Sequence, residues 1–260
     1  MSNDYSSLMN FEGQVAVITG AAQGLGAEFA RGFSECGATV VLLDIDADAV
    51  NETASQIGAN ATGMPCDVRD KAQVERCVAE ILAANQRIDI LVSNAGIHRR
   101  VEPLDFDADD VEAIFAVNMM GCLNMCGTVG KVMVEQGSGK IVNISALGGG
   151  LMGLGRAGSA YGMSKGGVVS LTRDLAAEWT KHGVHVNAVA PGWIRTPMTS
   201  ALQENPERSE LMLQRVPAQR WGDPVDVARV VLFLASDGAS YISGHTIPID
   251  GGAANVIAFP

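Results

Sequence analysis

Short runs of apolar, β-branched residues alternate along almost the whole chain with stretches whose apolar positions recur every three to four residues. The runs are QVAVIT, ATVVLLD, ATGMPCDV, IDILVSN, GKIVNIS, VHVNAVAP and GHTIPID. Apolar runs without polar alternation suit strands buried on both faces, which means a parallel sheet covered by helices. Between them AEFARGFSECG, DADAVNETASQIG and DKAQVERCVAEILAAN carry helical spacing. Seven strands with intervening helices predict an α/β fold: one doubly wound domain over residues 1–260, with a seven-stranded parallel sheet, helices on both faces and 1–10 as a flexible N-terminal tail. A helix opening near Ser159 should end at the KHG of 181–183, where basic residues and a glycine suit a helix C-terminus.

Composition narrows the class. A chain of 260 residues, 47% hydrophobic and 18% charged, can bury one large core and is not a disordered polymer. Acidic residues number 29 against 18 basic, a net charge of −11, and no basic run stands out. Neither nucleic acid nor an anionic membrane is therefore an expected partner. The most apolar long stretch, 111–134, is interrupted by Glu112, Asn118, Asn124 and Lys131, so no membrane span is expected. The start, MSNDYSSLMNFEG, lacks the design of an export signal. Cys36, Cys66, Cys77, Cys122 and Cys126 form no CxxC pair and read as reduced thiols of a cytoplasmic protein. Cys122 and Cys126 share a helix face without histidines nearby, so no metal site is expected.

Two stretches carry chemistry. QVAVIT runs straight into GAAQGLG and then a helical pattern. Gly20 suits a tight turn there, while Gly24 and Gly26 let backbone approach a pyrophosphate. The second strand ends at Asp44, 18 residues past Gly26. A carboxylate there can accept hydrogen bonds from both ribose hydroxyls of an adenosine and repels a 2′-phosphate. With no Arg or Lys inside the glycine loop or just after Asp44, NAD is expected rather than NADP. In YGMSK (161–165), Tyr161 and Lys165 share one helix face, and a neighbouring ammonium should lower the pKa of a phenol.

TGxxxGxG (19–26), SNAG (93–96), YGMSK (161–165) and PGWIRTPM (191–198) occur in that order. Together they resemble the short-chain dehydrogenase/reductase family, over about Phe11 to Gly252. The resemblance implies a Rossmann-type fold and an NAD-dependent oxidoreductase interconverting a secondary alcohol and a ketone. Residue by residue, it places Gly20, Gln23, Gly24, Leu25 and Gly26 at the pyrophosphate, and Asp67 and Val68 over the adenine. Asn94, Ala95 and Gly96 would line the cofactor, with Pro191, Gly192, Ile194 and Thr196 at its nicotinamide end. Tyr161 would be the acid/base, Lys165 would bind the nicotinamide ribose and tune the tyrosine, and Asn118 would hold a relay water.

One position departs from the family pattern. The expected catalytic serine position after strand five holds Ala146, with Ser145 one residue early. Neighbouring strand residues point to opposite faces, so Ser145 can replace its neighbour only through a bulge. Three readings stand: a shifted strand end that uses Ser145, a natural variant lacking the hydroxyl, or an inactivated form. His98, Arg99 and Arg100 follow the SNAG motif directly, and Arg156 lies in the next loop, as candidates for an acidic substrate. Trp193, Met198, Met212 and Trp221 are candidates for an apolar lid or for ordinary core. The loops look like those of the family's sugar-acid and polyol dehydrogenases. An alicyclic or aryl ketone substrate and a catalytically impaired NAD-binding protein are the alternatives. The resemblance further suggests a homotetramer built on helices around 107–135 and 159–181.

Overall fold

The computed structural model describes residues 8–153, 155 and 158–254, so Arg156 and most of the expected tail lie outside the described residues. All seven predicted strands form: β1 (Val15–Thr19), β2 (Thr39–Asp44), β3 (Ala61–Pro65), β4 (Ile90–Ser93), β5 (Gly139–Ile144), β6 (Val184–Pro191) and β7 (Thr246–Ile249). They make one parallel sheet in the order β3-β2-β1-β4-β5-β6-β7. The order reverses between β1 and β4, where a doubly wound sheet opens a crevice at its carboxyl edge.

The helices are α1 (Gly24–Glu35), α2 (Ala47–Ile57), α3 (Lys71–Asn85), α4 (Ala108–Phe115), α5 (Cys122–Gln136), α6 (Ser159–Trp179), α7 (Ser200–Gln203), α8 (Pro206–Leu213) and α9 (Pro224–Ala235). Side chains on successive strand residues enter different cores. Ala16 and Ile18 of β1, with Val40 and Leu42 of β2, pack on Phe29 and Phe33 of α1 and Val231 of α9. Val15 and Val17, with Val41 and Leu43, pack instead with Val74 and Ile81 of α3 and Met125, Val129 and Met133 of α5. That two-residue alternation between two apolar layers explains why the strands read as continuous hydrophobic runs. Asp46, Asp70 and Asp107 cap α2, α3 and α4 by accepting backbone N–H bonds, which fixes where those helices start. As the KHG pattern predicts, α6 runs into a 3₁₀ turn over Thr180–His182 and stops at Gly183, with φ +77°.

The continuous helix Ala108–Gln136 is, by length and composition alone, long and apolar enough to cross a membrane, against the sequence expectation that no segment qualifies. Its apolarity has a local cause. Ile114, Met125, Cys126, Val129 and Met133 are fully buried in the protein interior. Midway, residues Ala116–Gly121 widen into a π-helical turn, a feature that often marks functional sites.

Candidate active site

Above the carboxyl edge of β1, β2 and β4 lies a cleft of about 440 Å³ bordered by Gly20, Gln23, Asp44, Asp67, Gly96 and Thr196, among others. The glycine loop shapes its floor. Gly20 holds φ +62°, and a side-chain carbon on Gly26 would lie 2.2 Å from the Gly20 carbonyl oxygen. Only glycine lets α1 begin so close to β1. Gln23 at the N-cap gives α1 no side-chain hydrogen bond, so the orphan N–H groups of its first turn face the cleft uncapped, as a pyrophosphate site requires.

Asp44 stands ready on the same cleft. Its Oδ2 accepts the Ala22 N–H at 3.0 Å and its Oδ1 the Asp46 N–H at 3.2 Å. Each carboxylate oxygen keeps a lone pair for a ribose hydroxyl. Arg69, which the sequence reading passed over, also borders the cleft. Asp67 engages it at 2.9, 3.0 and 2.6 Å, and this pairing holds the Asp67 carboxyl below the usual carboxylate range. The Asp67 side chain is therefore spent on Arg69, leaving its backbone and Val68 to border the cleft. Leu25, Ala95 and Asn94 also border the cleft. The Asn94 amide, however, donates to the Thr19 and Gly20 carbonyls, both at 2.9 Å, and so stitches β4 to the glycine loop. Thr19, fully buried, accepts the N–H groups of Asn94 and Ala95 on its hydroxyl, a role signalled only by its place before Gly20.

At the far end, Thr196 borders the cleft directly, whereas Pro191, Gly192 and Ile194 do not line it. Gly192 bonds the Ile249 carbonyl at 2.9 Å, and Ile194 bridges to Gly222. Of the four candidate lid residues, Met212 and Trp221 form a small buried core with Val216, and Trp193 packs against it. Met198 alone of the four is exposed on the cleft.

Tyr161 and Lys165 occupy one face of α6 beyond Gly96. The Lys165 Nζ is 5.9 Å from the Tyr161 ring centroid and donates to the Ile144 carbonyl at 2.7 Å. A side-chain carbon on Gly96 would come within 3.3 Å of that Nζ and of Asn118 Oδ1, so the cofactor loop meets the catalytic helix here. The expected lowering of the tyrosine pKa is not what the structure holds. Burial pushes the phenol up to about 12 and the ammonium down to about 8, because desolvation disfavours both charged forms and outweighs their attraction.

Asn118 sits buried in the π-helical turn. Its Oδ1 accepts the Ile97 N–H at 2.8 Å, and its Nδ2 donates to the Ile97 carbonyl and to Ser164 Oγ, both at 3.0 Å. Both amide protons are used, so a relay water can meet this side chain only at the remaining Oδ1 lone pair. Ser164, unmarked by sequence, donates in turn to the Tyr161 carbonyl at 2.8 Å and ties Asn118 to the catalytic helix.

Ser145 has a different task from the one considered for it. Its hydroxyl is buried and donates to the Lys165 main-chain oxygen at 2.9 Å, where it braces α6. Its N–H continues the β5 ladder to Val189 at 2.9 Å, so no bulge turns the hydroxyl toward the next position. Ala146 takes that position without a polar atom. Past β4, His98 lies edge to face against the Tyr161 ring, with centroids 4.9 Å apart. Arg99 is paired with Asp110 at 2.5 Å, and Arg100 is exposed.

Comparison with known proteins agrees with this geometry. A family model described as Enoyl-(Acyl carrier protein) reductase matches residues 20–254. The galactitol 2-dehydrogenase (L-tagatose-forming) of Cereibacter sphaeroides is 39% identical over 250 residues, covering 96% of this chain and 98% of that protein. The 2-dehydro-3-deoxy-D-gluconate 5-dehydrogenase of Dickeya dadantii is 38% identical over 253 residues, covering 94% and 96%. Among solved structures, a gluconate 5-dehydrogenase from Burkholderia cenocepacia in complex with NADP and tartrate superposes with a TM-score of 0.92 at 33% identity, covering 96% and 99%. The chain belongs to the short-chain dehydrogenase/reductase family, as an oxidoreductase that uses a nicotinamide cofactor to interconvert an alcohol and a ketone.

Proposed function

We propose that the protein is an NAD-dependent dehydrogenase of a polyol or sugar acid. The observation that carries the cofactor choice is the Asp44 carboxylate on the cleft, oriented by the Ala22 and Asp46 N–H groups. It favours two ribose hydroxyls and opposes a 2′-phosphate, while Arg69, the nearby cation, is occupied by Asp67. Relatives that bind NADP make this choice worth testing directly. Asp44→Ala should weaken NAD binding and lessen the discrimination against NADP. Dissociation constants for both cofactors by calorimetry decide it; equal affinities in the wild-type chain would sink the assignment.

The bound nicotinamide supplies or takes the hydride, and the chain supplies the proton path and the position. Tyr161 accepts the hydroxyl proton during oxidation and returns it during reduction. Lys165 holds the ribose and shares the titration of the tyrosine, and Asn118 fixes the turn between cofactor and substrate.

For the substrate, a carboxylate must be desolvated beside apolar side chains, which costs several kcal/mol unless a fixed cation meets it. Arg99, Arg100 and Arg156 are the candidates, and Arg99 already spends charge on Asp110. One alanine replacement among the three should raise KM for a hexonate about tenfold, roughly 1.4 kcal/mol, and hardly affect a neutral hexitol. An unchanged acid-to-polyol ratio in all three variants would shift the reading to a neutral polyol or ketone.

A homotetramer is supported by exposed Met120, Leu123 and Met163, apolar side chains on the two helical stretches expected to form its interfaces. A second reading, an impaired cofactor binder, rests on Ala146. A gain of about 10²-fold or more in turnover on Ala146→Ser would favour it.

A further inference from the structure

An alcohol oxygen that passes its proton to one tyrosine needs a second hydrogen bond to hold it in line and, in reverse, to polarise the carbonyl. Ala146 carries no such group, and the Ser145 hydroxyl is spent on the Lys165 main chain. His98 stands beside Tyr161 from the loop after β4. Its ring meets the phenol ring edge to face at 4.9 Å and 71°, so the imidazole flanks the tyrosine. The residue before it is pinned on both sides: the Ile97 N–H donates to Asn118 Oδ1, and the Ile97 carbonyl accepts from Asn118 Nδ2.

Among the described residues, no hydrogen bond engages the ring nitrogens of His98. The ring is exposed at its outer side, and the burial of the remainder moves its pKa down from the ordinary value. A neutral imidazole offers one N–H donor and one acceptor, the same pair of capacities as a serine hydroxyl.

Building on the dehydrogenase reading above, we propose that His98 donates to the substrate oxygen the hydrogen bond that the missing serine would supply. Tyr161 remains the proton acceptor. His98 keeps its own proton throughout, so no further transfer step is added. Ala146 and His98 then form a compensating pair: the hydroxyl is absent from position 146 and a ring N–H is present beside Tyr161.

Wild type, His98→Phe, His98→Gln, Ala146→Ser and the double variant H98F/A146S are assayed with NAD on a panel of hexitols and hexonates. His98→Phe keeps the ring contact and removes the N–H. It should lose about 10²-fold in kcat with KM changed by no more than about threefold. His98→Gln retains a donor and should keep more turnover than His98→Phe. Adding Ala146→Ser to His98→Phe should restore kcat to within about tenfold of wild type. Three results overturn the assignment: a wild-type kcat in His98→Phe, a loss that the serine does not repair, or a wild-type chain that is silent until the serine is introduced. Absence of turnover in all five chains sinks the dehydrogenase reading, and this assignment with it.

Discussion

Tyr161→Phe should lower turnover about 10²- to 10⁴-fold while leaving the cofactor dissociation constant within about twofold of wild type. The phenol oxygen is the group expected to carry the substrate proton, and removing it alters neither the glycine loop nor Asp44. Wild-type alcohol oxidation should rise about tenfold per pH unit and level off above about pH 8. Below that pH Tyr161 and Lys165 are both protonated and no base is present; above it Lys165 has released its proton and can take the substrate proton relayed through the phenol. The reverse reduction should fall through the same ionisation, because it draws on the protonated pair. Steady-state kcat/KM profiles in both directions check this. A tyrosine-free variant with wild-type turnover would assign the proton to another group.

Lys165→Met should abolish useful activity and yet make the protein more stable at neutral pH. Lys165 is only 4% exposed, and burial lowers its pKa from 10.5 to about 8. At pH 7 the native state therefore carries a desolvated ammonium, a penalty on the order of 3 kcal/mol. Methionine has a similar stem and no charge. It forfeits the hydrogen bond to the Ile144 carbonyl, which offsets about 1 kcal/mol.

A net gain of about 2 kcal/mol raises Tm by roughly 4–8 °C in a chain of this size. The sign of its pH dependence follows from linkage. Between about pH 8 and 10.5 the unfolded chain binds a proton that the native lysine has released, so wild-type stability gains on the variant as pH rises and the difference closes by about 10.5. Cys66, pushed up to about 12, acts in the opposite direction above pH 9 but is common to both chains and cancels in the comparison. Calorimetric scans of the two proteins across pH 6.5–10.5 measure it. A variant less stable than wild type at pH 7 would show that the ammonium is well solvated in its pocket.

The chain's local pattern alone determined the seven strands, the burial on both faces of all but the edge strands β3 and β7, the glycine loop and the helical spacing of Tyr161 and Lys165. Those features depend on periodicity and on residues close in sequence, which is where the physics of strands, turns and helix faces acts. Asp44 at the end of β2 was legible for the same reason, since strand and loop bring it to the cleft without help from distant segments.

Tertiary structure decided what depends on competition between distant groups. Lys165 should have lowered the tyrosine pKa by sequence spacing, but burial of the phenol outweighs a charge one helical turn away. Asn118 turned out to be committed to Ile97 and Ser164, 21 and 46 positions away, because partners far along the chain claim its hydrogen-bonding capacity. The one-residue displacement of Ser145 was visible as a motif mismatch. Its consequence was set only when α6 packed against β5 and took the hydroxyl for the Lys165 carbonyl. His98 reached Tyr161, 63 positions further along the chain, only through the π-helical turn that anchors Ile97. Sequence specifies which groups are available, and packing decides which of them meet, because burial cost and hydrogen-bond pairing are set by neighbours in space.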